Sequence, residues 1–125
     1  PAAICRKVIE ADKEIEIWGS GEQTRSFLYI DECLEGVRRL MESDFTGPVN
    51  IGSDEMVTIN QLVDIACNVE GKKITKKHID GPLGVAGRNS DNKLIKDKIN
   101  WAPDYPLNKG IQETYKWIKE QINYE

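Results

Sequence analysis

Trp18, Arg25, Arg88 and Asp91 are the side chains of this sequence best suited to chemistry with a small anion, and they come from two glycine-punctuated segments. The first, IEIWGSGEQTRSFLYIDECLE (15–35), puts Trp18 at the end of an alternating run and Arg25 just beyond a bend containing Gly19 and Gly21. An indole is a flat apolar plate on which a base can stack. A guanidinium grips phosphate oxygens through two parallel N–H donors, a fork that lysine lacks. The second segment, GVAGRNSD (84–91), puts Arg88 among glycines that let backbone approach a ligand, with Asp91 shortly after it. Two arginines from separate loops could neutralise the two charges of a diphosphate, and a carboxylate at Asp91 could accept a hydrogen bond from a ribose hydroxyl. Each residue also has a plain structural alternative. Trp18 can fill core, Arg25 can pair with Glu22 or Asp31, Arg88 can be a solvated loop cation, and Asp91 stands where a helix cap belongs.

Other apparent chemistry is set aside. Tyr115 with Lys119, and Tyr105 with Lys109, have the Y-x-x-x-K spacing that lets a lysine tune a tyrosine on one helix face. The first pair falls on the last helix and the second brackets Pro106, so both read as chance. His78, the only histidine, reads as a strand residue. The three cysteines, Cys5, Cys33 and Cys67, are odd in number and far apart, each in an expected helix. They predict reduced, half-buried thiols and a cytoplasmic protein, with no zinc site.

The elements that must position these groups follow from periodicity. Pro1 to Ala11 reads as an amphipathic helix with proline in its first turn. Glu14 to Trp18 alternates as a half-buried strand. Ser26 to Ile30 is a short apolar run, and Asp31 is the expected N-cap of a helix carrying Leu34, Val37, Leu40 and Met41. Val49 to Ile51 reads as a strand. Thr58 with Gln61 has the form of a capping box before Ile59, Leu62, Val63, Ala66 and Val69. Lys73 to Ile79 reads as an edge strand, 81–89 as a glycine-rich loop, Asp91 to Ile99 as a short helix, 101–103 as a turn, and Leu107 to Ile122 as a closing helix. The expected fold class is α/β, a small mixed sheet of short strands with about five helices, in a single domain spanning 1–125.

At 125 residues the chain can bury a real core. Its net charge of −4 argues against nucleic acid as the main partner, since phosphate backbones require clustered Lys and Arg. No run reaches membrane-spanning length, and no apolar signal core opens the chain. No G-x-G-x-x-G turn follows a strand, so no dinucleotide-binding half is legible. The opening helix, with no leading strand, suggests a chain that starts inside a longer protein.

Three motifs resemble a known family. W-G-x-G-x-Q-T-R-S-F-x-x-I-D-E (18–32), PVNIGSDE (48–55) before a capped helix, and GRNSDN (87–92) before a helix and Trp101-Ala102-Pro103 are similar to the extended short-chain dehydrogenase/reductases, the NAD-dependent nucleotide-sugar epimerases and dehydratases. The resemblance implies the C-terminal substrate domain of such an enzyme without its Rossmann domain. It implies a nucleotide sugar as partner, of the GDP-mannose type. It also implies that Trp18 lies against the base, Arg25 and Arg88 bind the diphosphate, Asp91 lies near the ribose, and the backbone around Glu16 and Ile17 touches the base edge. In the family, NAD oxidises the sugar at C4 and an acid/base pair moves the neighbouring protons. The parts for this precede the region matched here, and none of the three cysteines matches the catalytic one. The expectation is a chain with no cofactor of its own, NAD belonging to a full-length relative. No activity is expected from the chain alone. A homodimer would form through the face that a missing domain leaves apolar.

Overall fold

The computed structural model describes residues 1–82 and 84–123; Leu83, inside the glycine-rich loop expected at 81–89, lies outside the described residues. In chain order the elements are α1 (Ala2–Glu10), β1 (Glu14–Trp18), β2 (Thr24–Ser26), α2 (Ile30–Met41), β3 (Met56–Thr58), α3 (Ile59–Asn68), β4 (Thr75–Ile79), α4 (Lys93–Ile99) and α5 (Leu107–Ile122). The mixed α/β character is as expected. The parallel and antiparallel pairings are divided between two ladders: β1 runs parallel to β4, with Glu14 opposite Thr75 and Trp18 opposite Ile79, and β2 runs antiparallel to β3, with Arg25 opposite Val57.

The core lies between β1 and three helices. Ile15 and Ile17 alternate inward from β1, as period two dictates. Against them pack Cys5 and Val8 of α1, Leu62, Val63, Ala66 and Cys67 of α3, and Leu107, Ile111, Tyr115 and Ile118 of α5. Burying one such side chain contributes roughly 1.5–3 kcal/mol, several times what an exposed ion pair gives. The apolar stripes of α1, α3 and α5 therefore decide the fold.

Local signals fix the element ends. The capping box is complete: Thr58 Oγ1 accepts from the Gln61 N–H at 3.0 Å, and Gln61 Oε1 accepts from the Thr58 N–H at 2.8 Å. The Lys72 ammonium closes the other end of the helical layer, donating to the carbonyls of Val8 (2.9 Å), Ile9 (2.6 Å) and Ala11 (3.3 Å) at the exit of α1. Helix α5 has no cap of its own; Glu55 Oε2 accepts its first N–H, from Leu107, at 2.9 Å.

Some expectations are corrected. Val49 to Ile51 forms no strand, and the partner of β2 is Met56–Thr58. The carbonyls of Gly52 and Ser53, just beyond that run, are spent on the 90–92 segment, and Ile51 packs at α2. Only Ser26 of the 26–30 run is strand, because Tyr29 is the N-cap of α2 and Ile30 already belongs to the helix. Asp31 is thus not the cap. It lies in the first turn with Glu32, where carboxylates face the helix's positive end. Helix α4 starts at Lys93 behind Asn92, and Pro1 precedes α1 as its N-cap.

Helix α2 stands apart from the core. Gly36 is its only buried residue, and a Cβ there would come within 2.8 Å of the Trp101 ring and 2.9 Å of Ile51. The Arg39 guanidinium covers that indole at 5.8 Å from the ring centroid. Trp101 is therefore the anchor by which α2 is held. The other face of α2 carries Ile30, Leu34, Val37 and Met41, all exposed.

Candidate functional site

Arg25 and Arg88 meet. They line one hollow of about 440 Å³, together with Ser26, Asn50, Ile51, Asn89 and Ser90. Arg25 is half-buried on β2, its Nη1 donating to the Thr24 carbonyl at 2.7 Å, and Arg88 is exposed. Neither forms an ion pair with a carboxylate among the described residues. Glu22, the expected surface partner of Arg25, instead accepts from Asn60 Nδ2 at 2.6 Å. Two cations, four neutral side chains with hydrogen-bonding groups beside them and no paired acid make a hollow suited to an anion.

The hollow is assembled by pairing two of the motifs. Asn92 Nδ2 donates to the Gly52 carbonyl at 2.8 Å, Ser90 Oγ donates to Asn92 Oδ1 at 2.8 Å, and the Ser90 N–H donates to the Ser53 carbonyl at 3.2 Å. Residues 50–53 are so bound to 89–92, which brings Arg88 across to β2. The loop leading into Arg88 lies along β2, where the Thr24 N–H donates to the Ala86 carbonyl at 2.9 Å. A side chain at Gly81 would strike the Trp18 indole, and a Cβ at Gly84 would reach Arg25 Nη2 at 3.7 Å.

Trp18 is 53% exposed and so does not fill core. Its indole lies against Gly81, at the start of the loop that ends in Arg88, and it is not among the residues lining the arginine hollow. The buried Ile17 side chain belongs to the core; only its backbone remains for a ligand. Glu16 is exposed, its carboxylate 3.5 Å from Lys77 Nζ and its carbonyl accepting from Lys7 Nζ at 2.9 Å. Asp91 lines an adjoining, larger hollow of about 810 Å³, with Asp54, Lys93, Lys96 and Asp104; Asn89 and Ser90 border both. Asp91 Oδ1 also accepts the Lys93 N–H at 3.0 Å, which caps α4 from one residue before its N-cap.

Sequence reasoning missed Ser26, Asn50, Asn89 and Ser90 as lining groups. They lie inside the motifs, but no period or spacing marks a small polar residue as facing a cavity. The tyrosine–lysine match on α5 is structural. Tyr115, 1% exposed, donates its hydroxyl to Glu70 Oε2 at 3.0 Å, and Lys119 pairs with Glu70 Oε1. Burial, then Glu70, pushes the Tyr115 phenol well above its ordinary range, while Lys119 holds the Glu70 carboxyl below its own. Tyr105 stacks on Tyr29 at 4.8 Å between ring centroids. His78 is a strand residue, its Nε2 2.9 Å from Asn60 Oδ1. No group of acidic, His and Cys side chains among the described residues could hold a metal, and no helix is long and apolar enough to cross a membrane.

After β1 the glycines of GSGEQ lead into strand β2 and not into a helix, so no helix N-terminus faces a glycine-rich turn there.

Comparison with known proteins gives a consistent result. Residues 1–52 match the NAD dependent epimerase/dehydratase family. GDP-mannose 3,5-epimerase of Arabidopsis thaliana is 57% identical over 125 residues, all of this chain and 33% of that enzyme. A probable GDP-L-fucose synthase of rice is 33% identical over 114 residues, 87% of this chain and 34% of the relative. The chain thus spans about a third of the length of the curated relatives it matches. Among solved structures, UDP-glucuronic acid 4-epimerase from Bacillus cereus, in complex with UDP-4-deoxy-4-fluoro-glucuronic acid and NAD, superposes with a TM-score of 0.85 at 28% identity, covering 94% of this chain and 38% of that one.

Proposed function

We propose that this chain, whose residues 1–52 match the NAD dependent epimerase/dehydratase family and which is 57% identical to a third of a GDP-mannose 3,5-epimerase, is the C-terminal, nucleotide-sugar-gripping domain of an enzyme of that kind, inactive by itself. The observation that carries this reading is the shared hollow of Arg25 and Arg88. Its size and two uncompensated cations suit a diphosphate, and the adjoining hollow with Asp91 leaves room for the groups attached to it. Trp18 and the backbone at Glu16 and Ile17 serve the base, reached along the 81–88 loop. This chain's residues bind and orient. Hydride chemistry would come from NAD held by a domain of another segment.

Calorimetry tests the reading. The chain is expected to bind GDP-mannose weakly, because only one wall of the site is present, and to turn none of it over. A panel of GDP-, UDP- and dTDP-sugars identifies the nucleotide. Absence of heat with every sugar nucleotide would overturn the assignment, and so would turnover of GDP-mannose by the pure chain.

A second reading, a free-standing interaction module, is favoured by the exposed apolar stripe of α2. We assign that face to a second copy of the chain. The helix is acidic at its start (Asp31, Glu32) and basic at its end (Arg38, Arg39), so two antiparallel copies set unlike charges opposite each other. The free state of Cys5, Cys33 and Cys67 supports a cytoplasmic setting.

A further inference from the structure

Asn60 sits at the start of α3, outside the arginine hollow, yet its side chain touches both segments that lead to the arginines. Its Nδ2 donates to the Ser20 carbonyl at 3.0 Å and to Glu22 Oε1 at 2.6 Å, and its backbone N–H donates to the Gly21 carbonyl at 3.0 Å. These three bonds hold the bend that runs from Trp18 to Arg25. The fourth contact is to His78 on β4, 2.9 Å from Asn60 Oδ1. Since both acceptors face Nδ2, the amide orientation is fixed, and Oδ1 must accept; His78 therefore donates from Nε2–H. Strand β4 leads directly into the loop that meets Trp18 at Gly81, Arg25 at Gly84 and ends at Arg88. Gly21 is shaped to this arrangement: its φ is +73°, and a Cβ there would lie 2.2 Å from Asn60 Oδ1.

We propose that Asn60 is a positioning residue, a single amide that sets the separation of the Arg25 and Arg88 segments by bonding the bend before one and the strand before the other. It touches no ligand. The inference deepens the diphosphate reading and rests on it for its functional consequence, but not for its geometry.

The test uses Asn60→Asp, which keeps the size of the side chain but turns its two donor positions into an acceptor facing the Ser20 carbonyl and the Glu22 carboxylate. Two-dimensional NMR of the whole chain is expected to show backbone resonances of 24–25 and of 84–88 shifting together in this variant. His78→Ala should shift 84–88, and His78→Gln, which retains a side-chain N–H donor, should restore it. With GDP-mannose as probe, Asn60→Asp is expected to weaken binding about tenfold in the native background and less than about twofold in an Arg25→Ala background, the non-additivity of groups that act as a unit. An effect confined to lost stability would leave that coupling absent. Resonances of 84–88 that do not move in Asn60→Asp would overturn the proposal. If the native chain takes up neither GDP-mannose nor pyrophosphate, the diphosphate reading fails, and the resonance shifts alone uphold or overturn the role of Asn60.

Discussion

Each arginine of the shared hollow should contribute separately to anion binding. A hydrogen bond to a charged group is worth about 1.5–3 kcal/mol, so Arg25→Ala and Arg88→Ala should each weaken GDP-mannose binding roughly ten- to hundredfold. Lysine at Arg25 should recover only part, because it lacks the fork. Calorimetry of the three variants beside the native chain checks this, and alanine variants that bind as tightly as the native chain would remove the diphosphate as the handle. Glu70 makes a different prediction. Lys119 and Tyr115 depress its pKa in the folded chain, so its stabilising effect is present above the unfolded carboxylate pKa of about 4.3 and is lost as pH falls through the lower folded value. Glu70→Gln should thus melt below the native chain at pH 7, and the gap should narrow on acidification. Residue types made the two guanidiniums legible as candidates. Their meeting was not, because it depends on Asn92 and Ser90 reaching residues 52 and 53, some forty positions away.

Elements with a long apolar period read well from the sequence. Strand β1 and helix α5 have the expected bounds because each alternates or repeats over enough residues to fix its face. Helix α3 also begins where its capping box requires. Thr58→Ala removes the acceptor for Gln61 and should cost about 1 kcal/mol in chemical denaturation, with an unchanged slope. Short elements were illegible for the converse reason. Three residues, Met56–Thr58, show no period, whereas Val49 and Ile51 alternate like a strand but are followed by carbonyls committed to another segment. Trp18 follows the rule of the longer elements, since the alternation of β1 places it on the outward face with Glu14 and Glu16. The stripe on α2 was visible as a helix face but not as an uncovered one.

At the scale of the molecule, that uncovered stripe predicts self-association. Leu34→Glu, on the exposed face and away from Trp101, should leave the melting temperature nearly unchanged while converting a concentration-dependent dimer to monomer in sedimentation equilibrium. A monomeric native chain at high concentration would refute the assignment of that face to a second copy. The ammonium of Lys72 has a consequence of its own. Three carbonyls at the exit of α1 share this single cation, and Cys5 lies fully buried on the same helix, its thiol pushed up by burial. Exchanging Lys72 for methionine keeps the aliphatic stem but unclasps the last turn, so α1 should fray and the sulfur should become open to alkylation. The rate at which iodoacetamide labels Cys5 would then clock the undocking of one helix while the rest of the fold stays shut.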